Sequence, residues 1–282
     1  MNDFIPYSIT LRGSLVTISE PWVMGILNVT PDSFFGDSRC EEKEKITRRI
    51  QQIIEEGAKI IDIGGYSSRP GASYISADEE YSRLAMAMEI VRHTAPDAIV
   101  SIDTFRADVA RRCIEKWKAD IINDISGGNL DNEMFDTVST LGTPYILMHM
   151  RGTPSTMSQL TLYDDVTTDV IAELAQKIKT LEAKGLQDII IDPGFGFSKT
   201  TSQNFELMNN LNAFHKLHKP LLVGISRKSM IYKTLNGTPE TALNGTTALN
   251  TIALMKGAHI LRVHDVKEAV EAVKLTNNTL NR

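Results

Sequence analysis

Asn28, Asp62, Asp103, Asn123, His149, Asp192, Lys228, Arg262 and His264 all stand at or beside the ends of short apolar runs. Charge in such a setting costs several kcal/mol per group unless it is paired or holds a ligand. The residue types divide into two chemistries. Asp103, Asn123 and Asp192 offer carboxylate and amide oxygens that suit the N–H edge of a planar heterocycle, whereas Arg69, Lys228, Arg262 and His264 can collect an anion such as a phosphate. A ligand with a guanidine-like edge and an anionic tail would satisfy both sets.

Each residue also has a plainer reading. Asp103 could cap a helix starting near Arg106, Asp192-Pro-Gly could be a turn, and Arg227 with Lys228 could be a solvated pair. Asn28 reads on composition as a helix-cap residue, Met148 and Met150 as packing, and His149 as a satisfied structural histidine rather than a ligand or base. The joint pattern, not any single residue, argues for a site.

The stretch Ile189-Ile-Ile-Asp-Pro-Gly-Phe-Gly-Phe197 shows how such groups are delivered: a buried strand runs into an aspartate and then a glycine-bounded loop. Similar runs occur at Trp22–Leu27, Lys59–Ile63, Ala98–Asp103, Asp120–Asn123, Pro144–His149, Pro220–Ile225 and His259–Val263. Helical spacing separates them. Ile46, Ile50, Ile53 and Ile54 stripe a helix ending at Gly57, and Ser76 with Glu79 reads as a capping box for a helix carrying Leu84, Met88 and Val91. Further helices are expected over Val109–Trp117, Asn132–Leu141, Asp165–Lys184 and Thr241–Lys256, with a last one carrying Val266, Val270 and Val273. Tyr7 to Ser19 alternates loosely around Gly13 and reads as a small ribbon capping the bottom of the fold.

Parallel strands need crossovers of this kind, and eight of them close a barrel whose chemistry collects at the C-terminal strand ends. The expectation is an α/β protein, a single (β/α)8 barrel over 1–282, with the ribbon in 1–20 and the barrel in 21–276. No glycine-rich dinucleotide fingerprint opens the first helix, which disfavours a doubly wound sheet.

The 282 residues carry a formal net charge of −5 and a pI near 5.7, without the basic footprint of nucleic-acid or anionic-membrane binding. Any anion must be held by a local cluster. Two cysteines, Cys40 and Cys113, cannot form a disulfide framework and fit a reducing compartment. No apolar run approaches the length of a membrane helix, and the N-terminus lacks a signal pattern, so the cytoplasm is the expected location.

Seven blocks in order, Met24-Gly-Ile-Leu-Asn-Val-Thr-Pro-Asp-Ser-Phe, Gly64-Gly-Tyr-Ser-Ser-Arg-Pro-Gly-Ala, Ser101-Ile-Asp-Thr, Ile122-Asn-Asp-Ile-Ser, Asp192-Pro-Gly-Phe-Gly-Phe, Ser226-Arg-Lys-Ser and Arg262-Val-His-Asp-Val, closely resemble the motifs of the dihydropteroate synthase family. The resemblance runs from about Val23 to the last helix. It implies an enzyme that joins a dihydropterin-methyl diphosphate to 4-aminobenzoate, with magnesium, as a homodimer and a sulfonamide target. Asp103, Asn123, Asp192, Gly224 and Lys228 would hold the pterin, and Arg262 would stack on it while reaching the diphosphate. Asp103, Lys228 and Arg262 are the expected catalytic groups. Asn28 would bind magnesium, with Ser68, Arg69 and His264 on the diphosphate, and Phe34, Pro70, Phe197, Lys228 and Ser229 would frame the aminobenzoate. Two expected loops, Val29 to Ser38 and Gly64 to Ala72, would order over the site to exclude water. The chain departs from the family pattern at Gly36, where an aspartate is usual and Asp37 comes one place late, and at Tyr66 and Ser68, where Glu and Thr are usual. The pterin-binding methyltransferase domains of corrinoid enzymes resemble the same pocket, but they need neither the Ser-Arg-Lys-Ser block nor a diphosphate cluster.

Overall fold

In the computed structural model, residues 4–30, 39–67 and 74–280 are described; Phe34, Asp37, Ser68, Arg69 and Pro70 lie outside the described residues. The chain opens with an antiparallel ribbon, β1 (Tyr7–Leu11) and β2 (Ser14–Ile18). Its turn is made by Arg12 and Gly13, both with positive φ, as a tight hairpin of right-twisted strands requires. Strands then alternate with helices: β3 (Trp22–Asn28), α1 (Arg39–Glu55), β4 (Ile60–Gly64), α2 (Ala77–Thr94), β5 (Ile99–Asp103), α3 (Ala107–Trp117), β6 (Ile121–Asp124), α4 (Met134–Leu141) and β7 (Tyr145–Met148). The second half continues with α5 (Val166–Ala183), β8 (Ile189–Asp192), α6 (Thr201–Asn209), β9 (Leu222–Val223), α7 (Ser229–Thr234), α8 (Leu243–Met255), β10 (Ile260–Val263) and α9 (Val266–Leu280).

The eight-stranded sheet has the order β8-β7-β6-β5-β4-β3-β10-β9, and every pairing in it is parallel. Its two edges meet through a parallel bridge between Ile191 and Leu221 and a 2.9 Å bond from Ile191 N–H to Pro220 O. The expected (β/α)8 barrel with an N-terminal ribbon is therefore the fold. Strand β9 is shorter than the expected Pro220–Ile225. Pro220 has no N–H to give, and the Leu221 N–H bonds the His259 ring at 3.1 Å instead of a neighbouring strand.

Period-two alternation sorts each strand into two faces. One parity, including Val23, Leu27, Ile61, Ile63, Val100, Ile102, Ile122, Leu147, Ile189, Ile191, Leu261 and Val263, packs outward on the helices. The other parity points inward. At the lower end it supplies Met24, Ile60, Ile121, Ile146, Ile190, Leu222 and Ile260, which pack with Ile9, Leu11 and Ile18 of the ribbon. Arg12 ties the ribbon down through 2.6 and 3.0 Å bonds to Asp120. The ribbon thus plugs the bottom of the barrel, as expected. One turn higher, the same parity brings polar residues into the interior.

Two local expectations need correction. Ser76 Oγ accepts the Glu79 N–H at 3.2 Å, but the return half of the capping box is missing because the Glu79 carboxylate is drawn to Arg83 Nη2 at 2.5 Å. The helix expected from Asn132 begins at Met134; Asp131 is occupied by the N–H groups of Ala107, at 2.8 Å, and Glu133, at 3.0 Å. Among the described residues, no helix is long and apolar enough to cross a membrane.

Candidate active site

Inward parity on β4, β5, β6, β8 and β10 puts Asp62, Ser101, Asn123, Asp192 and Arg262 in one layer; the cross-strand registers Asp62↔Ser101 and Asp103↔Asn123 step the row upward toward the mouth. Arg262 is the hub. Its Nε donates to Asp62 Oδ2 at 2.6 Å, its Nη2 donates to Asp103 Oδ2 at 2.6 Å, and Asn123 Nδ2 donates to the same Asp62 oxygen at 3.2 Å. The planar guanidinium fork can bridge two carboxylates on neighbouring strands, which a lysine ammonium could not do in the same geometry. Asp62 Oδ1 and Ser101 Oγ are buried without a hydrogen-bond partner among the described residues. Unmet buried acceptors and donors of this kind are where a polar ligand or ordered water is expected.

Asp192 is both turn and site. Its Oδ1 accepts the Gly194 N–H at 2.8 Å, while Oδ2 faces Gly224. A side chain at Gly224 would start 3.9 Å from Asp192 Oδ2 and 3.8 Å from Arg262 Cβ, so the glycine leaves the space between them open. Asp103 does not cap α3; Asp131, from a distant loop, fills that role for Ala107. Lys228 enters from the loop after β9. Its Nζ donates to Phe195 O and lies 4.7 Å from the centre of the Phe197 ring, and its stem passes over Gly196, 3.2 Å from where a Cβ would stand. Arg227, by contrast, is paired outside the barrel with Asp265, at 2.6 and 2.9 Å. The supposed solvated pair therefore splits: Arg227 is held by Asp265, and Lys228 lies against Phe195 O and the Phe197 ring.

These contacts set the protonation of the cluster. Burial pushes the Asp103 carboxyl up to about 7, with Arg262 opposing and Asp62 reinforcing the shift. Burial also raises Asp192, opposed by Lys228. Lys228 is pulled down to about 8 by burial, with Asp192 acting the other way. Although burial opposes it, the carboxylates of Asp62 and Asp103 hold Arg262 above its ordinary value.

At the mouth, Asn28, Gly64 and Asp103 lie side by side in register, and Asn28 Oδ1 is 3.4 Å from where a Gly64 Cβ would stand. His264 Nδ1 lies 3.0 Å from Ser226 Oγ, and Ser226 Oγ also accepts the His264 backbone N–H at 3.1 Å. With its hydroxyl proton free to serve Nδ1, Ser226 leaves the other ring nitrogen as an outward N–H donor. Burial and Arg262 bring His264 down to about 4, so it donates as a neutral ring. Ser229 opens α7, half-buried. Phe197 packs with Phe105, Ile125, Leu130, Met148, Met150 and Met157 in an apolar cluster at the rim. Tyr66 stands edge-on to Phe105 at 5.2 Å and under Arg106, 5.4 Å from its ring centre.

The structure therefore brings Asp103, Asn123, Asp192, Gly224, Lys228 and Arg262 together, with Asn28, His264, Phe197 and Ser229 around them. Ser68, Arg69, Phe34 and Pro70 lie outside the described residues. Asp62 was legible at the rim but carried no role, and its part in seating Arg262 appears only in three dimensions. His149 is bonded at both ring nitrogens and points away from the barrel axis cluster, to Glu173 and Lys199.

The family described as "Pterin binding enzyme" matches residues 24–264. The chain is 41% identical over 272 residues to the dihydropteroate synthase of Escherichia coli strain K12, covering 96% of this chain and 95% of the relative. The Yersinia pestis dihydropteroate synthase solved with a sulfonamide drug complex superposes with a TM-score of 0.89 at 38% identity, over 98% of this chain and 99% of that one. The Xanthomonas albilineans dihydropteroate synthase solved with 4-aminobenzoic acid gives a TM-score of 0.88 at 35% identity, over 98% of both chains. A polar barrel interior built on these motifs, matched over nearly the whole length, leaves one conclusion: the chain belongs to the dihydropteroate synthase family of pterin-binding transferases.

Proposed function

We propose that the chain condenses (7,8-dihydropterin-6-yl)methyl diphosphate with 4-aminobenzoate, giving 7,8-dihydropteroate and diphosphate in folate biosynthesis, by a dissociative substitution. The observation that carries this reading is the Asp62–Arg262–Asp103 bridge, flanked by Asn123 and Asp192 inside a barrel of this family. Asn123 and the two site carboxylates match the N–H edge of the pterin, and Arg262 lies where it can cover the ring and reach the diphosphate.

The C–O bond to diphosphate breaks, its electron pair leaves with the diphosphate, and the arylamine nitrogen then bonds the methylene carbon and loses a proton. Asp103 steadies the cation on the pterin methylene, while Arg262 and the His264 N–H absorb charge on the leaving group. An arylamine is already neutral near pH 7, so no strong base is required. Phe197, Lys228 and Ser229 frame the aminobenzoate.

Magnesium belongs to the same reading. Asn28 presents an amide oxygen beside the Asp103 row, and among the described residues no group of three His, Cys, Asp or Glu side chains could cage a metal. Magnesium keeps several waters and takes one or two protein oxygens alongside substrate phosphates, so this sparse donor set fits it. Bound through Asn28, it would supply charge neutralisation at the diphosphate.

A purified sample given both substrates and magnesium should release diphosphate over many turnovers with formation of a pterin–aminobenzoate conjugate, and omission of either substrate or chelation of the metal should abolish sustained turnover. Sustained turnover of the pterin diphosphate to a hydroxymethyl product, with no conjugate formed when 4-aminobenzoate is present, would mark a hydrolase and sink the reading. The reaction should also show a bell-shaped pH dependence. Asp103 must be ionised to accept from the pterin and Lys228 must stay charged, so kcat/KM for the pterin diphosphate rises through about pH 7 and falls through about pH 8. Lys228→Arg should carry the alkaline limb upward; a flat profile across the neutral range counts against both assignments.

A homodimer completes the proposal. Ile252 and Met255 of α8 and Leu275 of α9 are exposed apolar side chains that a second copy would cover. The acidic balance and the buried Cys113, whose thiol burial pushes up to about 12, suit a reducing cytoplasm.

A further inference from the structure

We infer that Lys199, one residue beyond the Ser198 that closes the loop after β8, is the positioning residue that sets the aminobenzoate wall of the site. Lys199 is buried, yet its ammonium is fully used: Nζ lies 3.0 Å from His149 Nδ1, 3.1 Å from Gly194 O and 3.0 Å from Phe197 O. Three N–H groups meet three acceptors. An ammonium only donates, so His149 Nδ1 accepts and its proton sits on Nε2, which donates to Glu173 Oε2 at 3.0 Å. The other Glu173 oxygen takes Arg151 Nε at 2.9 Å and Nη2 at 2.5 Å. The chain of contacts runs from α5 through His149 to Lys199 and ends on two carbonyls of the loop.

Those two carbonyls bracket the segment that carries Phe195 and Phe197. Phe197 N–H closes the same turn onto Gly194 O at 3.1 Å, and Ser198, at φ +46°, holds the loop's far side by accepting the Arg151 N–H at 3.0 Å. With the tripod gone, the Phe197 carbonyl has no other hydrogen-bond partner among the described residues, and the ring, still packed on Phe105, Met148 and Met150, loses the anchor that sets its approach to Lys228. Asp192 does not depend on Lys199 in this way. It is seated by the sheet, through register with Met148 and the 2.9 Å bond from His149 N–H to Asp192 O. Lys228 keeps its own backbone anchor, Lys228 N–H to Ile225 O at 3.1 Å. Burial brings Lys199 down to about 7, with Asp192 opposing and Lys228 reinforcing the shift.

The inference rests on the reading that Phe197 faces the aminobenzoate, and the test separates the two. Lys199→Met keeps the length of the side chain and removes the donors. Steady-state kinetics should show KM for 4-aminobenzoate raised roughly tenfold to a hundredfold, the loss expected when charge-assisted bonds to a loop are removed, with kcat little changed. Calorimetric titration with the pterin diphosphate and magnesium should give wild-type affinity. Lys199→Gln, which keeps an amide donor, should show the same split with a smaller rise and carries the comparison if the methionine variant does not fold. Phe197→Ala serves as the reference. If it raises KM for aminobenzoate and both Lys199 variants do not, Lys199 does not position the wall, though Phe197 still forms it. If Phe197→Ala itself leaves KM unchanged, the wall is elsewhere and the inference falls with it. Parallel weakening of both substrates in the Lys199 variants would reduce the residue to a scaffold role and overturn the proposal.

Discussion

Asp103→Asn is expected to lower kcat by about 10²–10³-fold, the scale of losing one preorganised electrostatic contact to a transition state, while the affinity for the pterin diphosphate falls less than about tenfold. The amide keeps an oxygen for Arg262 Nη2, now at 2.6 Å from the carboxylate, and for a pterin N–H, so ground-state binding loses little. What disappears is the negative charge next to the developing cation. The same change should leave the fold no weaker. The Asp103 carboxyl is raised to about 7, against an ordinary value of 3.8, with burial as the leading cause. A group raised in the folded state adds stability that is full below its unfolded value and lost as pH rises through its folded value. Asp103 therefore costs the wild type stability above pH 7, and Asp103→Asn should melt no lower, and should lose the fall in stability between about pH 4 and 7. Turnover and pterin affinity falling together would contradict the cation role; a large fall in melting temperature would contradict the burial argument.

Arg262→Met has the opposite signature. Removing the guanidinium leaves Asp62, fully buried, and Asp103 facing one another without a counter-charge. Breaking a buried pair by deleting one partner costs on the order of 3–5 kcal/mol, roughly 10 °C in melting temperature for a domain of this size. Diphosphate release should be lost as well, because in the proposed reaction the same group reaches the leaving group. Arg262→Lys should recover part of the stability and little of the activity, since a single ammonium cannot bridge both carboxylates. Adding Asp62→Asn to Arg262→Met should restore much of the lost stability, because the two sites share one interaction. Scanning calorimetry on the three proteins decides it: a wild-type melting temperature for Arg262→Met would mean that the two carboxylates do not lean on Arg262.

Much of this arrangement is legible in the chain because strands buried on both faces have a plain signature. Ile189-Ile-Ile-Asp and Ile60-Ile-Asp-Ile leave few alternatives to a barrel strand, and a carboxylate at the end of such a run must meet a partner or a ligand. Long-range partners are harder to read. Asp103 could cap α3 by spacing alone, and only the fold shows Asp131 doing so from across a loop. Asp62 is flanked by isoleucines, a signal that it must be paired inside, yet nothing local names Arg262, two hundred residues on. Lys199 carries still less signal: a lysine after a glycine-rich loop reads as solvated, and its burial depends on His149 and Glu173 from other elements. Tyr66, unexplained where the family has Glu, makes an edge contact with Phe105 under Arg106, so its partners too come from a separate strand end.

The ribbon that stoppers the lower end of the barrel has a consequence for traffic. With Ile9, Leu11 and Ile18 filling that end, the described residues close the lower route into the interior, and a molecule lodged deepest from the mouth would arrive first and depart last. For the proposed reaction, a cul-de-sac of this kind would impose a queue: the heterocycle would be admitted before the arylamine, and the arylamine, lodged nearer the threshold, would bar the retreat of its predecessor.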